Sequence, residues 1–396
     1  MEVADVHKAG VLAAQLTRFP GRLEFRYTAE YLRAGGPPVA TTLPRQADPV
    51  VTVGGAVPPF FAGLLPEGRR LSSLRRATKT SADDELSLLL AVGGDTVGDV
   101  QIVVSGAPPT QPEARIQASS NWAEIRFSEL LADAGVVDRV ALPGVQEKAS
   151  AGMISVPVRR AGERYLLKLD PPEYPLVVAN EAFFLERARE VGILCARARV
   201  VHDLDGRPGL LVRRFDRIAL ATGGTTPLVC EDACQVLGRW PADKYQLTTE
   251  EVVAALAEKC AAKRLALRNL YQQVCFAWLT GNGDVHAKNL SILGTPDGEW
   301  RVAPAYDVPS TVPYGDTSLA LSLQGRKTGL SRRHLLAFAS EIGLPEAIAT
   351  RVLDDLLARL VGLQTKLQES GPDFGDRVTA KLVAELRHRR RQALPR

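Results

Sequence analysis

The chain is 396 residues long, with 45% hydrophobic and 24% charged residues, the balance of a globular protein large enough for two or three domains. That excludes a disordered chain, a collagen-like repeat and a disulfide-dense miniprotein. Lysine and arginine number 49 against 45 acidic residues, but Lys381, Arg387, Arg389, Arg390, Arg391 and Arg396 face only Glu385 at the C-terminal end. The slight basicity is therefore a property of that tail, which either meets phosphates or is a solvated helix end. No apolar run approaches the roughly 18 residues that cross a bilayer, and the N-terminus lacks the basic-then-apolar order of a signal peptide. Five cysteines, an odd count, point to reduced thiols. The expectation is a soluble, cytoplasmic protein with no membrane association.

Residues 1–105 read as turn-rich and mostly strand. Residues 21–27 alternate at period two, and residues 50–53 do so less cleanly. Helices interrupt this over 60–76 and 82–90, the second closed by Gly93-Gly94, and a strand resumes over 97–104. The proline-rich stretch 105–112 reads as a linker. Beyond it, strands are expected at 156–159, 165–169 and 210–213, with a helix over 178–192 between the last two. From Cys230 the pattern turns helical, over 231–238, 249–260, 265–280, 332–343, 345–368 and 373–391, around a loop and short-strand segment at 281–314. Strands first and helices second predict an α+β chain in three parts: a strand-rich subdomain at 1–110, a strand-rich lobe at 111–229 and a helical lobe at 230–396.

Several chemistries can be set aside. The histidines are too scattered for a zinc cluster, and Cys230 and Cys234 have no second pair nearby to complete a tetrahedron. Neither a G-x-x-x-x-G-K-[ST] loop nor a G-x-S-x-G elbow occurs. The dense signal is Gly281-Asn282-Gly283-Asp284-Val285-His286-Ala287-Lys288-Asn289, leaving a helix and entering the apolar run at 290–293. An Asp and an Asn in D-x-x-x-x-N spacing is the arrangement of a kinase catalytic loop. Asp284 can accept a hydrogen bond from an attacking hydroxyl and orient it, and Asn289 supplies a neutral oxygen to Mg²⁺. Asp307, after the short strand expected before it, stands where a kinase-like fold puts a second metal ligand.

Upstream, Lys168 lies on the strand 165–169 among apolar neighbours, and a buried lysine requires a partner. Glu181, in the next helix, is the natural one, giving the strand-lysine to helix-glutamate pair that positions ATP phosphates. A phosphate-covering turn is expected before that strand, and Pro143-Gly144-Val145-Gln146-Glu147-Lys148 fits.

In order along the chain, Gly144-Val145-Gln146-Glu147-Lys148, Leu167-Lys168-Leu169, Asn180-Glu181, Arg214-Phe215-Asp216-Arg217, Glu231-Asp232-x-Cys234-Gln235, Gly283-Asp284-x-His286-Ala287-Lys288-Asn289 and Tyr306-Asp307 resemble the HipA-like serine/threonine kinases of bacterial toxin–antitoxin systems. Leu43-Pro44-Arg45-Gln46, Gly63-Leu64-Leu65-Pro66-Glu67 and Gly94-Asp95-Thr96-Val97-Gly98 resemble that family's N-terminal subdomain. The resemblance implies a two-lobed protein-kinase-like fold behind that subdomain. It implies Asp284 as the catalytic aspartate, Asn289 and Asp307 as Mg²⁺ ligands, and Lys168, paired with Glu181, at the ATP phosphates. Pro143 to Lys148 would form the phosphate loop, Arg213-Arg214-Phe215 the hinge against adenine, and His286, Lys288 and Tyr306 would lie in the nucleotide site. It also implies a helix-turn-helix, HipB-like antitoxin as partner, operator DNA reached through that complex and the basic tail, and an aminoacyl-tRNA synthetase as protein substrate.

One position departs from the family. Many members carry, just before the phosphate loop, a serine whose autophosphorylation silences the kinase. Here the residue is Ala141, which has no hydroxyl, and Ser150 lies beyond the loop. Two other readings stay open. A small-molecule kinase of the sugar or aminoglycoside type also uses a Gly-Asp-x-His-x-x-Asn loop, and a non-catalytic DNA-bound scaffold would use the basic tail and a helix-turn-helix partner.

Overall fold

The computed structural model describes residues 2–81, 83–109, 116–117, 121–129, 154–160, 163–220 and 224–395. The expected phosphate loop 143–148, Ala141 and Ser150 lie outside these residues. The N-terminal unit is a five-stranded sheet in the order β4-β3-β2-β1-β5, with β1 Glu2–Lys8, β2 Val11–Phe19, β3 Arg22–Tyr27, β4 Val50–Val53 and β5 Val100–Val104. Its core joins Leu16, Leu23 and Phe25 of the sheet to Phe60, Phe61, Leu86 and Leu89 of the helices beneath. The alternating residues of β3 bury Leu23, Phe25 and Tyr27 and leave Arg22 and Arg26 outside, as period two requires. Strand β1 has no such alternation because both its faces are covered. Lys8 is buried against Asp99 at 2.7 Å, and Asp5 accepts the Gly106 N–H at 2.8 Å.

The second sheet has the order β6-β7-β8-β10-β9, with β6 Ile116–Gln117, β7 Ile154–Arg160, β8 Glu163–Leu169, β9 Ala198–His202 and β10 Pro208–Arg213. Pairing is antiparallel except between β6 and β7. One face holds a small core of Phe127, Val158, Leu167, Leu169, Val201 and Leu211. The other carries the helix Val177–Glu190, whose Val178, Phe184 and Leu185 join Leu210 and Val212 of β10 in the core that continues into the helical lobe. Asp170 starts that helix, its carboxylate accepting the N–H of Leu176 at 3.1 Å and of Val178 at 2.7 Å. A short hairpin of β11 Arg217–Ala219 and β12 Thr225–Pro227 follows.

The helical lobe is built on Thr249–Lys259, Lys263–Thr280, Arg332–Glu341, Glu346–Arg359, Leu363–Ser370 and Asp376–Ala393. Three expected helices come out differently. The span 60–76 is two helices, Pro59–Leu64 and Gly68–Thr78, because Pro66 cannot donate to a continuing helix. The span 345–368 breaks at Gly362, whose φ of +82° is left-handed and available to glycine without strain. The span 231–238 starts as a strand, β13 Cys230–Asp232, paired with β14 Ser291–Gly294, itself paired with β15 Trp300–Val302. Only Ala233–Val236 is helical, entered through a capping box between Asp232 and Gln235. Among the described residues no helix is long and apolar enough to cross a membrane.

Candidate active site

Helix Lys263–Thr280 ends at Gly281, in the left-handed conformation with φ +72°, a common helix terminator. The chain that follows is held by its own side chains. Asn282 accepts the Asp284 N–H at 2.9 Å and donates to the Asp307 carbonyl at 3.2 Å, tying two loops together. Gly283 donates to the Thr311 hydroxyl at 2.9 Å, and a Cβ there would collide with the Ser318 carbonyl, so the loop needs glycine for close approach. Asp284 is buried, 1% exposed, and Tyr245 donates to its Oδ1 at 3.4 Å. Asn289 donates its amide to the Asp284 carbonyl at 2.8 Å, which leaves its side-chain oxygen as the atom able to take a cation.

Asp307 sits on the loop after β15 with a left-handed φ of +52°, a conformation Asp tolerates better than most residues and one that clusters at functional sites. Its carboxylate pairs with the Lys168 ammonium, which also donates to both oxygens of Glu181 at 2.8 and 3.0 Å. Burial alone would lower the Lys168 pKa, but Asp307 and then Glu181 outweigh it and hold the amine protonated. Burial pushes the Glu181 carboxyl up, and the neighbouring Asp307 adds to this against Lys168. One ammonium is shared by the two carboxylates, of which Asp307 is the more exposed, at 28% against 1% for Glu181. Among the described residues no three His, Cys, Asp or Glu side chains form a metal cage. Mg²⁺ bound through one or two protein oxygens and substrate phosphates needs no such cage, and the oxygens of Asp307 and Asn289 fit that mode.

The other expected nucleotide contacts fall into two groups. Phe215 and Tyr306 are together, ring centroids 5.6 Å apart, with the Tyr306 hydroxyl donating to the Lys288 carbonyl at 2.7 Å. His286 is buried, accepts the Lys288 N–H at 3.2 Å and meets the Tyr245 ring edge-on at 5.1 Å. By contrast, the side chains of Arg213, Arg214 and Lys288 point to protein partners. Arg213 pairs with Glu163 at 2.7 Å. Arg214 is buried among Asp216, Asp95 and the Thr96 carbonyl. The hinge N–H groups of Arg213 and Arg214 donate to the Arg197 and Arg164 carbonyls at 2.8 and 2.9 Å. Lys288 donates to the Gly63 carbonyl at 2.9 Å and pairs with Asp232 at 3.1 Å.

Sequence reasoning missed Tyr245 and Lys244 altogether, and it gave no partner to Glu67, Asp232 or Arg389. The first two lie in an irregular loop with no periodicity to mark them. Arg389, expected in a solvated or phosphate-seeking tail, instead turns into the fold. It is 1% exposed, its guanidinium lies 4.0 Å over the Trp278 ring, and it donates to the Trp278 and Thr317 carbonyls at 2.9 and 2.6 Å. Trp278 precedes the catalytic loop, and the Thr317 turn is the one against Gly283. Arg390 donates to the Leu357 carbonyl. Lys381, Arg387 and Arg391 are exposed on that helix, as is Arg377 in its first turn.

A sheet lobe carrying a buried Lys–Glu pair, above a helical lobe carrying Asp284, Asn289 and Asp307, defines a kinase-like protein with an added N-terminal unit. Residues 4–103 match the HipA N-terminal domain and residues 140–363 the HipA-like C-terminal domain; the chain belongs to the HipA family. It is 27% identical to the serine/threonine-protein kinase toxin HipA of Shewanella oneidensis, over 90% of this chain and 88% of that one. It is 28% identical to a Sinorhizobium fredii protein named "Putative kinase Y4mE", over 94% of each chain. Among solved structures, the Shewanella oneidensis complex of HipA, HipB and operator DNA matches with a TM-score of 0.77 and 22% identity, over 98% of this chain and 97% of that one. At that identity the likeness speaks for the fold.

Proposed function

We propose that the protein is an ATP- and Mg²⁺-dependent protein serine/threonine kinase that acts as a growth-inhibiting toxin in the cytoplasm. The observation that carries the reading is that Lys168 pairs with both Glu181 and Asp307, while Asn282 ties Asp307 to the loop of Asp284 and Asn289. In this reading Asp284 orients the attacking hydroxyl and accepts its proton. Lys168 holds the nucleotide phosphates, with Glu181 keeping the ammonium in place, and Phe215 and Tyr306 offer apolar surface to the base. Mg²⁺, when bound by Asp307 and Asn289, neutralises charge on the transferring phosphoryl group. The phosphate loop is assigned to 143–148 by resemblance.

The family resemblance further supports an aminoacyl-tRNA synthetase as the protein substrate, and a HipB-like helix-turn-helix antitoxin as the partner that brings the chain to operator DNA. Among the described residues of the tail, any direct contribution to DNA falls to Lys381, Arg387 and Arg391, because Arg389 and Arg390 are engaged within the fold. The test is phosphorylation of a cell extract with radiolabelled ATP, followed by mass spectrometry of the labelled band. A labelled protein carrying phosphoserine or phosphothreonine is expected. Transfer to sugars or aminoglycosides but not to protein would replace this reading with a small-molecule kinase. No transfer at all, with retained partner and DNA binding, would leave the scaffold.

A further inference from the structure

The N-terminal unit reaches the catalytic loop directly. Glu67, just before the helix Gly68–Thr78, pairs with Lys244 at 2.7 Å and approaches Lys288 at 4.0 Å. Each lysine is attached to a different side of the loop. The Lys244 carbonyl accepts the Ala287 N–H at 3.2 Å, and the next residue, Tyr245, donates to Asp284 and meets the His286 ring. Lys288 immediately precedes Asn289.

A second contact comes from the helix Pro59–Leu64. The Gly63 carbonyl lies near that helix's C-terminal end, where carbonyls lack helical partners and favour a cation; it accepts from Lys288 at 2.9 Å. Position 63 admits little more than glycine, because a Cβ there would come within 2.8 Å of the Gln235 side chain. Gln235 in turn donates to the Phe60 carbonyl at 3.0 Å and shares a capping box with Asp232, the ion partner of Lys288. The close fit at Gly63 and the Glu67 bridge are separate contacts that end on the same loop.

We propose that the N-terminal unit is part of the catalytic machinery: Glu67 and the Gly63 carbonyl, through Lys244 and Lys288, hold the loop 284–289 in its working geometry. Lys288 is then a positioning residue rather than a phosphate ligand. The inference rests on the kinase reading for its effect on turnover, and on geometry alone for its effect on the loop.

Small displacements of a catalytic group made from a distance can cost up to about a hundredfold in rate. Glu67→Ala in the full chain is the main test, since Glu67 is about one-third exposed and its loss leaves the fold intact. The expected result is a ten- to hundredfold lower kcat, at roughly unchanged affinity for Mg²⁺-ATP, with amide hydrogen exchange at Ala287 faster by about tenfold. Glu67→Gln, which keeps an acceptor for one lysine, recovers part of both effects. Lys288→Met, which leaves Asp232 without its cation, serves as a second variant where it folds, and it too retains nucleotide affinity. Unchanged turnover and exchange in Glu67→Ala would overturn the proposal, as would a large loss of Mg²⁺-ATP affinity in Lys288→Met. A wild-type protein that transfers no phosphate would instead defeat the kinase reading, and the exchange measurement would still decide whether Glu67 holds the loop.

Discussion

Asp284 is buried, held through its backbone by Asn282 and Asn289 and approached by the Tyr245 hydroxyl. In the proposed kinase reading it is the acceptor for the attacking hydroxyl and not a nucleotide ligand. Asp284→Ala should lower phosphoryl transfer on the order of 10²- to 10⁴-fold, the range of general-base positions, with nucleotide affinity nearly unchanged by calorimetry. Asp307→Ala should behave differently. It removes a charged oxygen for the cation and one of the two carboxylates that hold Lys168, so affinity for Mg²⁺-ATP should fall most at limiting Mg²⁺. Ala141 has no hydroxyl, so no phosphate ester can form at that position. Intact-mass measurement after incubation with Mg²⁺-ATP should show no stoichiometric phosphate near 139–150 and no decay of activity; a phosphate at Ser150 with loss of activity would show that another hydroxyl has taken over.

Among the elements, the helix Asp376–Ala393 differs most from its reading in the sequence. Its run of arginines looks like a solvated end, yet Arg389 is the strut between helix Lys263–Thr280 and the turn at Thr317. Arg389→Met keeps the apolar stem but leaves the Trp278 and Thr317 carbonyls without their donor. Each such loss is worth about 1–3 kcal/mol, so unfolding by denaturant should report a destabilisation of that order. Arg387→Met, at an exposed position on the same helix, should leave stability within about 0.5 kcal/mol of wild type. The helix itself was legible, since its apolar positions recur at helical spacing. Which arginine turns inward was not, because four basic residues in five positions carry no mark of the partner each will meet.

At the scale of the whole molecule, the N-terminal unit is joined to the kinase-like body through buried and part-buried polar contacts. Thr41 donates its N–H and hydroxyl to Glu231 at 2.8 and 2.6 Å. Asp216 accepts from Gly98 at 2.9 Å and pairs with Arg214 and Arg217 at 2.7 Å each, and both arginines also reach Asp95. Burial would raise the Asp216 carboxyl, but Arg214, then Arg217 and the Gly98 N–H, hold it below its ordinary value of 3.8. A carboxyl depressed in the folded state contributes its stability in full above its ordinary value, and that contribution is lost as pH falls through the depressed one. Asp216→Asn should therefore destabilise by about 3–5 kcal/mol near neutrality, having left buried cations undercompensated. Thermal unfolding of the two proteins should show a constant gap down to about pH 5 and a shrinking one below pH 3.8.

The broad division into strand-rich and helical regions, the kinase-like loop and the Lys168–Glu181 pair were legible in the residues, because each is local. A strand alternates over a few positions, D-x-x-x-x-N spans one loop, and a buried lysine demands a carboxylate that the next helix supplies. Strand β1 escaped that reading because its polar residues are covered by Asp99 and the turn at 105–106, which lie nearly a hundred residues away in the chain. The same holds for the loop's outer supports. Glu67, Gly63 and Arg389 stand 225 or fewer positions from the atoms they hold, and nothing in the intervening chain records the pairing. Short-range pattern decides which segments form and which side chains can do chemistry. The long-range closure of the fold decides which charges meet, and so whether a lysine inside the catalytic motif faces a phosphate or, as Lys288 does, the N-terminal unit.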